Sequence, residues 1–241
     1  MVKLIKKYIK TKNASCAAVV VAAGSSNRMQ GTDKILYLLD GEPLIVHTVR
    51  AFQENPLIKE IVIVTRQELI EELSGVFVAK GFSKVSAITS GGGSRAESVM
   101  NGLDHVSKNI GYAAIHDGAR PFVTQKIITD TVAKAVEYHA AAPAVPVKDT
   151  IKIAHGHVVT HTPDRATLFA VQTPQVFDFD LLRGALKKAL DEKLSITDDC
   201  SAVEALGMSV YLTQGSDENI KVTTPTDLIL AQAIKKERDE Q

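Results

Sequence analysis

The sequence predicts an α/β fold: a mostly parallel, twisted sheet flanked by helices, with a β-hairpin arm projecting from it. Three observations carry this expectation. An apolar run, Ala17 to Ala23, is rich in valine and stops abruptly at Gly24, as a strand buried on both faces does. Apolar runs and helical patterns then alternate, which is the rhythm of a parallel sheet with helices on both faces. Finally, glycine and charged residues cluster at the exits of three of the first four strands, the edge where open α/β sheets bind ligands.

The elements follow in order. Ile35 to Leu39 is a short apolar piece closed by the turn pair Asp40-Gly41, and Pro43 opens a helix through Phe52. Lys59 to Thr65 reads as a second buried strand, Gln67 to Lys80 as a helix stopped by Gly81, and Lys84 to Thr89 as a third strand. Ser90 to Ser94 (S-G-G-G-S) is the next exit loop, where bare backbone can lie flat against a ligand, and Arg95 to Val106 continues as a helix. Tyr112 to Ile115 is a fourth strand, leading straight into His116-Asp117-Gly118-Ala119-Arg120-Pro121. Thr124 to His139 is helical. Ala140 to Val147 carries two prolines, which place it at an edge or in an irregular strand.

Lys148 to Thr173 breaks the rhythm with polar–apolar alternation around His155-Gly156-His157, a hairpin signal. Such a projection exposes apolar side chains that a second subunit would cover. His155, His157 and His161 lack a cysteine or carboxylate at zinc-ligand spacing and read as solvated loop residues. Leu181 to Leu190 is a helix, and Thr197-Asp198-Asp199 opens another with a threonine cap. Met208 to Leu212 and Asn219 to Val222 read as strands, and Thr224-Pro225 starts the last helix. The organisation expected is one domain over 1–241, with a basic extension over 1–14 and an arm over about 148–172.

Composition narrows the function. The 241 residues are 45% hydrophobic and 23% charged, enough for a full core. With 28 basic and 28 acidic side chains the net charge is zero, which excludes a general nucleic-acid-binding surface. Two cysteines, Cys16 and Cys200, fit a reducing compartment and a cytoplasmic location rather than a disulfide scaffold. No run reaches the roughly 18 apolar residues needed to span a bilayer. The N-terminus carries five lysines in its first twelve residues but no apolar core, so it reads as a solvated extension without stable membrane association.

The residues with chemical content are Gly24, Arg28, Lys34, the glycines of 91–93, Asp117, Arg120, Thr150, Arg165 and Lys221. Neither a Gly-x-Gly-x-x-Gly fingerprint nor a Walker lysine loop is present, which leaves a dinucleotide oxidoreductase and an NTP hydrolase unsupported. Cations plus backbone loops are the inventory of phosphoryl or nucleotidyl transfer, where catalysis is mostly positioning and charge neutralisation.

Six motifs in order then point to one family: A-A-G-x(3)-R-M with a following lysine, H-D-G-A-R-P, D-T-I-K, D-R-x(6)-Q-T-P-Q, T-D-D and N-I-K-V-T. Over about 17–234 the chain closely resembles the 2-C-methyl-D-erythritol 4-phosphate cytidylyltransferases. The resemblance implies a Rossmann-like nucleotidyltransferase fold and a Mg²⁺-dependent reaction of CTP with 2-C-methyl-D-erythritol 4-phosphate in non-mevalonate isoprenoid synthesis. It implies that Arg28 and Lys34 hold the triphosphate and stabilise charge at the α-phosphorus, with Ala22, Ala23, Gly24, Gly92 and Ser98 around the cytidine and triphosphate. Asp117, with Gly118 and Arg120 beside it, falls near the ribose, phosphates and metal. Thr150, Arg165 and Lys221 match the positions that hold the methylerythritol phosphate, the first two on an arm that crosses a homodimer. Two departures stand out: Asp33-Lys34-Ile35 where the family often has Pro-Lys-Gln, and no acidic residue after the glycines of 91–93.

Two rival readings remain at this point. A ribitol 5-phosphate cytidylyltransferase shares fold and nucleotide, and the arm elements Asp149-Thr150-Ile151-Lys152 and Asp164-Arg165 favour methylerythritol phosphate over it. A non-catalytic nucleotide-binding module has no use for the set Arg28, Lys34, Asp117 and Lys221.

Overall fold

The computed structural model describes residues 14–24 and 33–240. The basic extension up to residue 13, Arg28 and the rest of the loop after Gly24 lie outside the described residues.

The first strand, β1 (Cys16–Val21), is the centre of an eight-stranded sheet. It pairs in parallel with β4 (Ile58–Thr65) on one side and β6 (Tyr112–Asp117) on the other, and β4 pairs in parallel with β5 (Val85–Ser90). Small and β-branched side chains fit this position because both faces are covered. Ala18 and Val20 enter one core cluster while Val19 enters another, as the two-residue period of a strand requires. The first cluster is closed by α1 (Leu44–Glu54), α2 (Ile70–Ala79) and α4 (Gln125–Tyr138). The second is closed by α3 (Arg95–Leu103), α5 (Phe179–Asp191) and α6 (Asp199–Glu204). A third, smaller cluster joins Leu39, Leu44, Phe122 and Val222 to Ala231 and Ile234 of α7 (Pro225–Asp239).

The chain leaves β1 towards β4 and later returns to its other flank at β6, so the loops after β1, β5 and β6 open a crevice at the carboxyl edge of the sheet. Between β1 and α1, β2 (Leu38–Leu39) and β3 (Glu42–Pro43) form a small hairpin, turned by Asp40 and Gly41 at positive φ.

In the far half of the sheet, β7 (Ala140–Pro146) is not an edge strand: it pairs antiparallel with β11 (Gln175–Asp178) and β10 (Phe169–Val171) and in parallel with β12 (Tyr211–Gln214). Its prolines are accommodated because Pro143 falls between the β11 and β10 pairings and Pro146 sits at the strand's end. The arm does fold as a hairpin, β8 (Ile153–His155) with β9 (Val158–His161), turned by Gly156 at φ +59°. Ile151, Ile153, Val158, Val159, Phe169 and Val171 are all exposed on it or at its root.

Local details also shift. The helix expected from residue 67 begins as a 3₁₀ turn, Gln67–Leu69, before α2. The cap of α6 is Asp198, not Thr197: its carboxylate accepts from Ser201 N–H while Ser201 reaches back, a full capping box. The strand expected over 208–212 starts three residues later because Gly207, at φ +76°, is still turning the chain out of α6. Residues 219–222 form no strand. The Asn219 backbone is engaged elsewhere, its N–H on Ser216 C=O and its C=O on Arg120 Nη1, and Val222 N–H bonds singly to Ala119 C=O, so no ladder runs through the segment.

Candidate active site

A cleft of about 540 Å³ lies in the crevice and is lined by Val21 to Gly24, Lys34, Ile35, Gly92 to Arg95, Ser98, Asp117, Ala119 and Lys221. That is a volume suited to a nucleotide-sized ligand. Another surface depression, lined by Glu68, Glu71, Glu72, Gly75, Val76 and Ala79, carries three acids and no cation and does not suit a polyanion.

The walls are backbone brought close by small residues. Ala22 N–H bonds to Val64 C=O and Gly118 N–H to Val21 C=O, which sets the loops after β1 and β6 side by side. A Cβ on Gly118 would come within 2.9 Å of the Ala22 Cβ and 3.2 Å of Val21 O, so only glycine allows the approach. At the third loop a Cβ on Gly92 would lie 2.4 Å from the Glu97 Cβ. The loop is tied to α3 by a capping box between Ser94 and Glu97. The Ser98 hydroxyl accepts from Gly92 N–H at 3.0 Å and donates to Ser94 C=O at 2.9 Å, so it shapes the loop from beneath.

Asp117, at the last position of β6, gathers the charges. Its Oδ1 accepts from Arg95 Nη1 at 2.8 Å, and its Oδ2 lies 2.9 Å from Lys221 Nζ and 3.4 Å from Arg120 Nε. Burial raises the carboxyl pKa, but Arg95, then Lys221 and Arg120, overcome it and hold Asp117 well below the usual carboxylate range. Arg95 turns its other edge to Asp199, with Nε at 3.2 Å and Nη2 at 2.8 Å from Oδ2. Asp199 is fully buried, and burial pushes its carboxyl up against the pull of the Arg95 guanidinium. The two carboxylates raise the Arg95 pKa despite its own burial.

Lys34 reaches the cleft from a turn that Asp33 organises: Asp33 Oδ1 accepts from Ile35 N–H at 3.1 Å and its C=O from Leu36 N–H at 3.2 Å. The Asp33 Oδ2 pairs with Arg66, just beyond β4, which also holds Glu68. The aspartate beside Lys34 is thus directed to Arg66.

Among the sequence-selected residues, Ala22, Ala23, Gly24, Lys34, Gly92, Ser98, Asp117 and Lys221 meet at the cleft. Gly118 and Arg120 stand behind it, Arg120 donating to Asn219 C=O at 2.6 Å. Thr150 and Arg165 are exposed on the arm and do not line the cleft of their own chain; Arg165 Nη1 donates to Lys148 C=O at 3.0 Å.

A family model described as 2-C-methyl-D-erythritol 4-phosphate cytidylyltransferase matches residues 16–237. The chain belongs to that family. It is 43% identical over 227 residues to the 2-C-methyl-D-erythritol 4-phosphate cytidylyltransferase of Alkaliphilus oremlandii, covering 93% of this chain and 96% of the relative. It is 45% identical over 224 residues to that of Halalkalibacterium halodurans, covering 92% and 98%. The fold matches a crystal structure of 4-diphosphocytidyl-2C-methyl-D-erythritol synthase from Anaerococcus prevotii with a TM-score of 0.84 at 26% identity, covering 95% and 99% of the two chains. It matches that of the Thermus thermophilus cytidylyltransferase with a TM-score of 0.74 at 30% identity, covering 90% and 98%.

One residue of this cytidylyltransferase site, Arg95, escapes the sequence patterns, and Asp199, the last residue of the T-D-D motif, enters them without a role at the site. Arg95 follows a glycine loop at the first position of a helix, where a solvated arginine is the ordinary expectation. Asp199 sits in a helix's first turn, where the macrodipole already explains an acid. The only available signal was coincidence: Arg95 follows one strand-exit cluster and Asp117 lies in another, so a pair between neighbouring loops could have been asked for. No group of three or more His, Cys, Asp or Glu is placed to hold a metal among the described residues. Among the described residues lining the cleft Asp117 is the one carboxylate; a Mg²⁺ ion there would have to be carried mainly by substrate phosphates.

Proposed function

We propose that this cleft transfers the cytidylyl group of CTP to 2-C-methyl-D-erythritol 4-phosphate, giving 4-diphosphocytidyl-2-C-methyl-D-erythritol and pyrophosphate. The observation that carries the reading is the convergence of Arg95, Arg120 and Lys221 on one carboxylate, Asp117, at a cleft that Lys34 also lines, in a chain of the cytidylyltransferase family.

The chemistry asks little of a base. A phosphate monoester oxygen of the acceptor is ionised at neutral pH and attacks the α-phosphorus; the bond to the bridging oxygen breaks and pyrophosphate leaves. The difficulty is two polyanions approaching in line, and fixed positive charge in a cleft with buried walls answers it. In this reading the backbone of Ala22, Ala23, Gly24 and Gly92 follows the cytidine and triphosphate. Lys34, together with Arg28 from the loop outside the described residues, holds the triphosphate and meets the charge that grows at the α-phosphorus. Lys221 takes the acceptor phosphate. Asp117 orients Lys221 and Arg95, and its carboxylate would also help to hold a metal carried on the nucleotide's phosphates. Mg²⁺, when bound on the phosphates, supplies charge neutralisation that side chains alone do not.

The arm belongs to the same proposal. Thr150 and Arg165 serve the cleft of a second copy of the chain, and the exposed apolar residues of the arm form the contact that brings the copies together as a homodimer. A cytoplasmic location accords with two buried free thiols, and no helix among the described residues is long and apolar enough to cross a membrane.

The test is a pyrophosphate-release assay with CTP or UTP against methylerythritol phosphate or ribitol 5-phosphate, with and without Mg²⁺. The reading expects turnover only with CTP, methylerythritol phosphate and Mg²⁺ together. Preference for ribitol 5-phosphate, or CTP binding without pyrophosphate release, overturns it.

A further inference from the structure

Behind Asp117 lies a chain of buried hydrogen bonds that the reaction itself does not use. His116, fully buried beside the Phe52 ring, places Nε2 3.2 Å from Arg120 C=O and Nδ1 2.9 Å from Thr173 Oγ1. A carbonyl only accepts, so the ring proton sits on Nε2, and a neutral imidazole then has an acceptor at Nδ1. Full burial, with a carbonyl and a hydroxyl as its hydrogen-bond partners, favours the neutral ring. Thr173 must therefore donate to His116, and its oxygen accepts from Asp117 N–H at 3.1 Å. The direction of the whole chain is fixed: Asp117 N–H to Thr173, Thr173 to His116, His116 to Arg120 C=O.

The chain spans both ends of the turn that carries Asp117, and it reaches further. Thr173 C=O accepts from Asn219 Nδ2 at 3.0 Å, and Asn219 C=O accepts from Arg120 Nη1 at 2.6 Å. Asn219 is two residues before Lys221, and Thr173 is two residues after β10, the strand by which the arm returns to the sheet. Three segments remote in sequence thus meet: the Thr173 hydroxyl and the His116 imidazole tie residue 173 to the turn after β6, and the Thr173 carbonyl and the Arg120 guanidinium tie both to the Asn219 segment.

We infer that Thr173 and His116 are positioning residues for the transfer reaction, holding the 117–120 turn and the Lys221 segment in the register that the acceptor phosphate requires. They touch no substrate; they act through Asp117 and Lys221. The inference rests on the transferase reading above, and turnover by the unaltered chain in the same assay separates failure of that reading from failure of this one.

Thr173→Val removes the hydroxyl at nearly constant volume, and Thr173→Ser restores it. Losing one net hydrogen bond on the path to the site corresponds to a fall in kcat of about 10-fold. The expected result is that fall in Thr173→Val, with the KM for CTP within about 2-fold of the parent value, and recovery to within about 3-fold of the parent kcat in Thr173→Ser. A role exercised through Lys221 also makes the penalties non-additive: adding Thr173→Val to Lys221→Ala costs less than about 2-fold more. A valine variant with parental kcat, a serine variant as impaired as valine, or penalties that multiply in the double variant each overturn the inference. If Thr173→Val does not fold, His116→Gln, which keeps a donor for Arg120 C=O but removes the Nδ1 acceptor, is put through the same cycle under the same criteria.

Discussion

Lys221 Nζ lies 2.9 Å from Asp117 Oδ2, although the two residues come from opposite halves of the chain and Lys221 sits on a segment with no regular structure. Its placement is enforced on both sides, by the Asn219 side chain and by Val222 N–H on Ala119 C=O. Lys221→Ala and Lys34→Ala are each expected to lose most turnover, on the order of 10²-fold or more, since charge stabilisation in a preorganised site is the largest catalytic contribution. Steady-state rates with unchanged thermal midpoints check this; near-parental kcat in either variant refutes the role.

Asp117 also has a structural duty. With its side chain 8% exposed among Arg95, Arg120 and Lys221, replacing it by alanine leaves three cations facing one another. Breaking a buried charge group in this way costs about 3 kcal/mol. Urea unfolding of Asp117→Ala measures it, and a loss below about 1 kcal/mol contradicts the network.

His116 gives the fold a pH signature. Its pKa is lowered from the usual value near 6.5 to about 3 in the folded chain, so the unfolded state binds the extra proton first. The contribution is complete above the unfolded value and declines as pH falls towards the folded one, by about 1.4 kcal/mol per pH unit. Denaturation midpoints should drop between about pH 6.5 and 5, and His116→Gln should flatten that slope. Parallel slopes for both chains would falsify the assignment.

The Asp33–Arg66 pair fixes the turn that presents Lys34. Both side chains are about three-quarters covered, so their worth to stability is small, below about 1 kcal/mol. Asp33→Ala is expected to leave the thermal midpoint nearly unchanged while lowering kcat/KM for CTP by about 5-fold, because a small misplacement of a charge costs rate out of proportion to stability.

Gly118→Ala forces a Cβ against Ala22 and Val21 O, both on rigid backbone at the cleft wall. Overpacking of this kind costs about 1–3 kcal/mol, and prying the two loops apart should weaken nucleotide binding as well. Calorimetric unfolding together with CTP titration tests both halves.

On the arm, Val158 is 72% exposed and Val159 53%. Because Val158 is largely exposed in the single chain, the main effect of a charge placed there, as in Val158→Glu, falls on association. The expected outcome is a monomeric mass by light scattering, an unchanged far-UV spectrum and a large loss of turnover. A fully active monomer is the result that rules out a site shared between copies.

What the sequence disclosed, and what it withheld, divides along physical lines. β1, β4 and β6 were legible because strands covered on both faces must be apolar throughout, and their exits because glycine is needed where backbones meet. Lys221 was legible as a residue but not as a loop: Ile220 and Val222 flanking it mimic a strand, and it is the local turn to Ser216 and the distant Arg120 guanidinium that take the Asn219 backbone away from a ladder. Of the two placements the prolines of β7 allowed, an edge or an irregular strand, the second holds, because proline bars a regular ladder but not one interrupted at the proline. The Arg95–Asp199 pair stayed hidden because an acid suits a helix's first turn without any partner, while an arginine at a helix's first position, where the dipole gives it nothing, passes for a solvated cation; their pairing exists only once three loops share one edge.

β7 and β10 have a last consequence. The chain leaves the sheet at Pro146 and re-enters opposite it at Phe169, so the sheet itself holds the two ends of residues 147–168 together. The entropy of closing that excursion grows only logarithmically with its length, about 0.6 kcal/mol per doubling. Residues can therefore be added to or removed from the arm's outer part at little cost to the body. The tip is free to be reshaped to suit whichever surface it meets, while the catalytic edge keeps its geometry.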